Sequence, residues 1–222
     1  NKSNDYKMTL KDAVSAYTSK TVALLITNPA NPSCKFIDED ELKKIIEFCI
    51  QKNIYIIYDA IFEEAPIFNE KRVQIFKLAH DYRKLIKIKG FSKDIPQLSD
   101  LRCGWTICKD QKFIQWLLEL GEAVNYSNST FLEALGIVEM TQRVNVDIGN
   151  KSASTLEYIT EKEQYHNQIF TIFKDTYDYL LTESSVVENV IYPDAGNIIF
   201  ITFKKEACHK KGVYTSHELF VY

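Results

Sequence analysis

The chain predicts an α/β fold, a mainly parallel sheet flanked by helices, followed by the start of a smaller α+β unit. Three observations carry the prediction. Short β-rich apolar runs alternate with amphipathic helical stretches. The first of those runs empties into a turn with two Asn-Pro steps, and the texture changes near residue 150 from strand-helix-strand to a long helix and a hairpin.

Thr21–Thr27 (TVALLIT) reads as a buried strand. It runs into Asn28-Pro29-Ala30-Asn31-Pro32-Ser33-Cys34, where each proline pushes the residue before it out of the helical region, so Asn28 and Asn31 are held at a strand's carboxyl end. In open α/β sheets ligands collect at that edge. An amide there can hydrogen-bond a ligand, or can satisfy local backbone groups as turn asparagines do. Asp38–Asn53 is helical, with Leu42, Ile45, Ile46, Cys49 and Ile50 on one face and Asp38-x-x-Glu41 as a capping box. Ile54–Tyr58 (IYIIY) is a second strand ending at Asp59, and Leu85–Lys89 a third ending at Gly90; strand, helix, strand implies a parallel sheet with right-handed crossovers.

Arg102–Cys108 is a fourth strand candidate, followed by a helix Gln111–Glu122 with Phe113, Ile114, Leu117 and Leu118 inward. A second helix spans Ser129–Val144, with Asn125–Asn128 as its capping segment, and a long one spans Ser154–Thr182. Val186–Tyr192 and Ile198–Phe203 flank the turn Pro193-Asp194-Ala195-Gly196, and a helix starts at Thr215. The boundary falls near residue 150.

Composition narrows the function classes. The 222 residues are 45% hydrophobic and 26% charged, with a formal net charge of −3 and a pI of about 5.9, and the lysines are scattered among acids. The charge pattern therefore argues against nucleic acid and anionic membranes as partners, and no apolar run approaches membrane-spanning length. Five cysteines without a C-x-x-C pair fit a reducing, cytoplasmic setting; Cys103 and Cys108 read as core, His209 as solvated, and Trp105 and Trp116 as packing aromatics. No metal site is expected. Seven glycines and no G-x-G-x-x-G or P-loop pattern disfavour the usual nucleotide sites.

Four polar residues stand at strand ends: Asn31, Asp59, Lys93 and Arg102. Asp59 closes an apolar strand, as a paired carboxylate or as the cap of the next segment. Lys93 lies in Gly90-Phe91-Ser92-Lys93, just past the third strand; Arg102 can clamp a phosphate in a planar fork, or form a surface salt bridge.

Together these residues resemble the fold-type I pyridoxal-phosphate (PLP) enzymes, in particular the class I/II aminotransferases. The family pattern N-P-x-N-P-[ST]-G stands as Asn28 to Cys34, an Asp followed three residues later by Tyr as Asp59 to Phe62, S-x-S-K as Gly90 to Lys93, and G-x-R-x-G-[WY] as Asp100 to Trp105. Asp59 follows Asn31 by 28 positions and Lys93 follows Asp59 by 34, near the family's usual separations.

The resemblance implies a PLP-transferase type I fold truncated at both ends. Residues 1–150 would be the C-terminal part of the PLP-binding large domain, and 151–222 the interdomain helix and the start of the small domain. It implies transfer of an amino group between an amino acid and a 2-oxo acid through a Lys93 Schiff base, in a homodimer. Asp59 would face the pyridine nitrogen, Asn31 the phenolic oxygen, and Ser92 with Arg102 the phosphate, while Phe62 stands where a tyrosine usually reaches the phenolic oxygen. Cys34 replaces a glycine, Gly90 a phosphate-touching serine, and Lys93 to Arg102 is nine residues, one more than the commonest spacing. The same fold hosts decarboxylases, lyases, synthases and oxidases, and the departures leave room for a noncatalytic PLP-binding or degenerate relative.

Overall fold

A computed structural model describes residues 6–63, 73–94, 99, 102–125, 130–147 and 149–214. In chain order the elements are α1 (Leu10–Ala16), β1 (Ala23–Thr27), α2 (Glu39–Gln51), β2 (Tyr55–Asp59), α3 (Ile75–Leu78), β3 (Leu85–Gly90), α4 (Phe91–Asp94) and β4 (Gly104–Cys108). There follow α5 (Gln111–Asn125), α6 (Thr130–Asp147), α7 (Ala153–Thr182), β5 (Val187–Ile191), β6 (Phe200–Phe203) and α8 (Lys205–His209). The expected strands and long helices are all present with edges shifted by a few residues. The expected capping segment at 126–128 and helix from Thr215 lie outside the described residues.

The first sheet has the order β1-β2-β3-β4; β1, β2 and β3 run parallel and β4 returns antiparallel. A parallel neighbour needs a long crossover, and α2 supplies it between β1 and β2. One face of the sheet packs on α2, whose Leu42, Ile45, Ile46 and Cys49 recur at helical spacing and meet Ile26, Ile56, Tyr58 and Leu85 in a single buried cluster. Each fully buried Leu or Ile in it contributes roughly 1.5–3 kcal/mol. The other face is barer. Leu25 is 57% exposed and Ile88 37%, so the run read as a wholly buried strand is covered on one side only among the described residues.

Three local expectations need correction. Asp38 does sit at the N-cap of α2, but it makes no capping hydrogen bond, pairing instead with Lys7 at 3.1 Å. Glu41 accepts the Leu10 N–H at 2.8 Å, because α1 lies against this end of α2 and offers an unpaired backbone donor. The true capping box is Thr9 with Asp12, on a helix that precedes the first predicted strand. Leu118 and Trp116 are exposed, at 59% and 56%: α5 rests on the edge strand β4, which covers only a narrow stripe of it. Trp105 does pack, 4.9 Å from the Phe91 ring, whereas Cys103 and Cys108 are half-buried rather than core, at the sheet's edge strand. His209 is exposed, within α8.

α6 and α7 are joined by Glu139, which accepts from Arg143 Nε at 2.8 Å and Tyr158 Oη at 2.7 Å. β5 and β6 form the antiparallel hairpin expected around Pro193–Gly196. Among the described residues no helix is long and apolar enough to cross a membrane, and no group of His, Cys, Asp and Glu could hold a metal ion.

Candidate active site

Strand register brings the predicted residues to one edge. Thr27, Asp59, Ile88 and Thr106 are successive neighbours across the sheet, and Gly90 lies beside Gly104. The strand ends are tied by backbone bonds: Asn28 N–H to Asp59 C=O at 3.0 Å, Ala60 N–H to Ile88 C=O at 3.0 Å, and Phe91 N–H to Cys103 C=O at 3.2 Å. The turn bearing Asn31, the end of β2 with Asp59, the single helical turn α4 with Ser92 and Lys93, and Arg102 just before β4 therefore share the carboxyl edge of the parallel strands. Binding sites in open α/β sheets form at that edge.

The two asparagines have different jobs. Asn28 is fully buried; its Nδ2 donates to Tyr58 Oη at 2.8 Å and its Oδ1 accepts from Ile37 N–H at 2.8 Å. It is an internal brace. Burial pushes the Tyr58 hydroxyl well above the ordinary tyrosine range, with the Asn28 bond opposing in part. Asn31 is exposed, and its amide makes no hydrogen bond among the described residues.

Asp59 is half-buried, and its Oδ1 accepts the Ile61 N–H at 3.1 Å. That bond is the local cap allowed for in the sequence, and it orients the carboxylate while Oδ2 has no partner among the described residues. Lys93 and Arg102 are exposed and their charged heads likewise have no protein partner among those residues, which removes the salt-bridge reading of Arg102 there. Arg102 has φ of 49°, a left-handed conformation that costs a non-glycine residue roughly 1–2 kcal/mol and clusters at functional sites. Ser92 is half-buried beside Lys93.

The departures from the motif acquire physical reasons. A Cβ at Gly90 would stand 3.0 Å from the Cys103 carbonyl oxygen and 3.3 Å from Gly104 Cα, so the close approach of β3 and β4 favours glycine there. Cys34 has φ of 52° and so keeps the left-handed backbone that a glycine favours. Its thiol is fully buried and pushed up to about 11 by burial, against the N–H groups of Ile198 and Asn197, which lower it. Phe62 is 3% exposed and packs beside the β5–β6 turn; a Cβ at Gly196 would meet Phe62 Cδ1 at 3.2 Å.

Two arrangements had escaped the sequence. Buried Glu63 bonds Lys87 at 2.6 Å and Lys89 at 3.4 Å, tying the segment after Asp59 to β3. The alternation of Lys87 and Lys89 in a strand, which places both on one face, was the available signal. The other is Asp194, which pairs with Lys35 and accepts the Phe36 N–H at 2.9 Å. Nothing local in the sequence announces a partner so distant.

The family model for aminotransferase class I and II matches residues 1–211. A probable aspartate/prephenate aminotransferase of Aquifex aeolicus is 29% identical over 111 residues, covering 50% of this chain and 28% of that protein. An aspartate aminotransferase of Bacillus subtilis is 31% identical over 105 residues, covering 47% and 25%. The PLP-bound C-S lyase from Staphylococcus hominis superimposes with a TM-score of 0.73 at 16% identity, over 96% of this chain and 49% of that one. An aromatic aminotransferase from Pyrococcus horikoshii gives 0.72 at 16%, over 88% and 48%. The chain spans about half the length of these solved structures, and at such identities the likeness is one of fold; it bears out the expected fold class.

Proposed function

The chain belongs to the class I and II aminotransferase family, and from that premise we propose that it is a PLP-dependent aminotransferase moving an amino group between an amino acid and a 2-oxo acid. One observation carries the proposal: Asn31, Asp59, Lys93 and Arg102 converge on one sheet edge with an amide, a carboxylate oxygen, an amine and a guanidinium that have no protein partners among the described residues. That donor set fits PLP group by group. When bound, PLP supplies an electron sink for the electrons released at the amino acid's Cα.

The protein's own residues do the rest. Asp59, oriented by Ile61 N–H, would hold a proton at the pyridine nitrogen, because a nearby carboxylate favours the charged ring. Asn31 would donate its amide N–H to the phenolic oxygen, and Arg102 with Ser92 would hold the phosphate by charge-assisted hydrogen bonds. Lys93 would hold the cofactor through its amine and would carry the proton at Cα. Phe62 offers no hydroxyl and packs beside the β5–β6 turn. The large PLP-binding domain would end near residue 150, with 151–222 opening the small domain, and the working unit would be a cytoplasmic homodimer.

The test is a PLP titration of the full-length protein followed by visible absorbance. A band that is lost in Lys93→Ala, and bleached by an amino donor in a single turnover, is expected. Saturating PLP without a Lys93-dependent band overturns the proposal.

A further inference from the structure

The hairpin turn after β5 does more than cross from one strand to the next. Asp194 alone touches three consecutive residues of the Asn-Pro turn's distal arm. Its N–H donates to the Cys34 carbonyl at 2.9 Å, its Oδ1 pairs with Lys35 Nζ, and its Oδ2 accepts the Phe36 N–H at 2.9 Å. Ala195 N–H adds a second bond to the Cys34 carbonyl at 3.2 Å. Asp194 is 12% exposed and Lys35 20%, so solvent screens the pair weakly compared with a surface pair. The grip is packed as well as bonded, since Gly196 lies against the Cys34 thiol.

Asn31 sits inside the loop that this grip holds. Ala30 N–H donates to the Lys35 carbonyl at 3.0 Å and Cys34 N–H to the Ala30 carbonyl at 2.6 Å, closing a short ring of chain with Asn31 on it. With one arm anchored at β1 through Asn28 and the other clamped by the hairpin, the direction of the Asn31 amide depends on both.

We propose that Asp194 is a positioning residue for the cofactor site, clamping Cys34, Lys35 and Phe36 so that the exposed Asn31 amide points to the sheet edge. The inference rests on the cofactor reading above and assigns the hairpin a part in it. Holding one donor in place ahead of binding removes an ordering cost that the cofactor would otherwise meet.

Two readouts test it. Without cofactor, Asp194→Ala is expected to speed amide hydrogen exchange at Ala30, Cys34 and Phe36 by about tenfold or more, the scale set by losing charge-assisted bonds. With PLP bound, the pH midpoint of the visible spectral change should rise, because a misdirected Asn31 no longer donates to the phenolic oxygen; in an Asn31→Ala background the same substitution should add nothing. Asp194→Asn, which keeps an acceptor for Phe36 N–H, and Lys35→Met should give smaller changes of the same sign and carry the test if Asp194→Ala does not fold. Unchanged exchange, or an equal rise in the Asn31→Ala background, overturns the clamp while leaving the cofactor reading intact. A parent protein lacking the Lys93-dependent band overturns the cofactor reading, and the positioning role with it.

Discussion

Gly196 of the β5–β6 turn lies against Cys34 and Phe62, and adding one methyl group there tests the packing directly. A Cβ at this position would lie 2.7 Å from Cys34 Sγ, 3.6 Å from Cys34 Cβ and 3.2 Å from Phe62 Cδ1, on a backbone with φ of 93°. The conformational part of Gly196→Ala costs roughly 1–2 kcal/mol. Overpacking against the buried thiol and ring adds about 1–3 kcal/mol. The single substitution should therefore destabilise by roughly 2–5 kcal/mol.

Cys34→Gly separates the two parts. Alone it loses a buried thiol but releases a residue held at φ of 52°, so its own effect should be about 1 kcal/mol or less. In that background the Sγ and Cβ contacts vanish while the φ cost and the Phe62 contact stay. Gly196→Ala should then cost about 1–2 kcal/mol less than in the parent, the thiol's share of the overpacking, a coupling well above the roughly 0.3–0.5 kcal/mol scatter typical of independent sites. Urea unfolding of the four proteins, followed by far-ultraviolet circular dichroism, gives the cycle. Additive effects would refute the reasoning, since they would show that the thiol is not what the new methyl group strikes.

Other residues give further expectations. Arg102→Gly should stabilise the unliganded protein by about 1 kcal/mol, through relief at φ of 49°, while weakening PLP binding more than tenfold; thermal melts and a PLP titration read the two, and a loss of stability would mean the conformation is not strained. Burial holds the Cys34 and Cys49 thiols up at about 11 against an ordinary 9.0. The folded state thus keeps protons that the unfolded chain releases, so their contribution is fully present below pH 9 and lost as pH rises toward 11, by up to about 1.4 kcal/mol per unit for each thiol. Urea midpoints between pH 8 and 11 should fall along that window, and less steeply in Cys49→Ala. Phe62→Tyr should lower the pH midpoint of the bound cofactor's spectral change by adding a donor toward the phenolic oxygen; an unchanged or higher midpoint would place this ring away from that atom.

What could be read from the chain follows from how far each interaction reaches. β1, β2 and β3 declare themselves as short apolar runs, and α2 as a stripe of Leu42, Ile45, Ile46 and Cys49, because burial of these segments is written in consecutive residues. The strand-end positions of Asn31, Asp59, Lys93 and Arg102 were legible for the same reason: each stands next to such a run. Long-range partners were not. Glu41 leaves its own helix for Leu10, Glu63 reaches Lys87 and Lys89, and Asp194 reaches Lys35, and nothing in local periodicity encodes those pairings. The division of labour between Asn28 and Asn31 was also hidden, since it depends on the Tyr58 hydroxyl across the strand pair.

The departures from the family pattern are weaker arguments against catalysis than their number suggests. Gly90 stands where the close approach of β3 and β4 favours glycine, and it leaves Ser92, Lys93 and Arg102 in place at the edge. Cys34 and Phe62 are not two independent losses. Both side chains crowd the same glycine of the β5–β6 turn, Sγ within 2.7 Å and the ring within 3.2 Å of where its Cβ would be, so the thiol that replaces a glycine and the ring that lacks a hydroxyl are parts of one packing arrangement. A chain drifting free of function would be expected to lose first the charged groups that lack partners among the described residues, because exposed Lys93 and Arg102 contribute little to stability and Arg102 holds an unfavourable φ. Here those groups remain, at a cost to the fold, while the changes fall where packing can absorb them. That distribution favours a working site over a degenerate one, and the coupling between Cys34 and Gly196 measures the packing half of the argument.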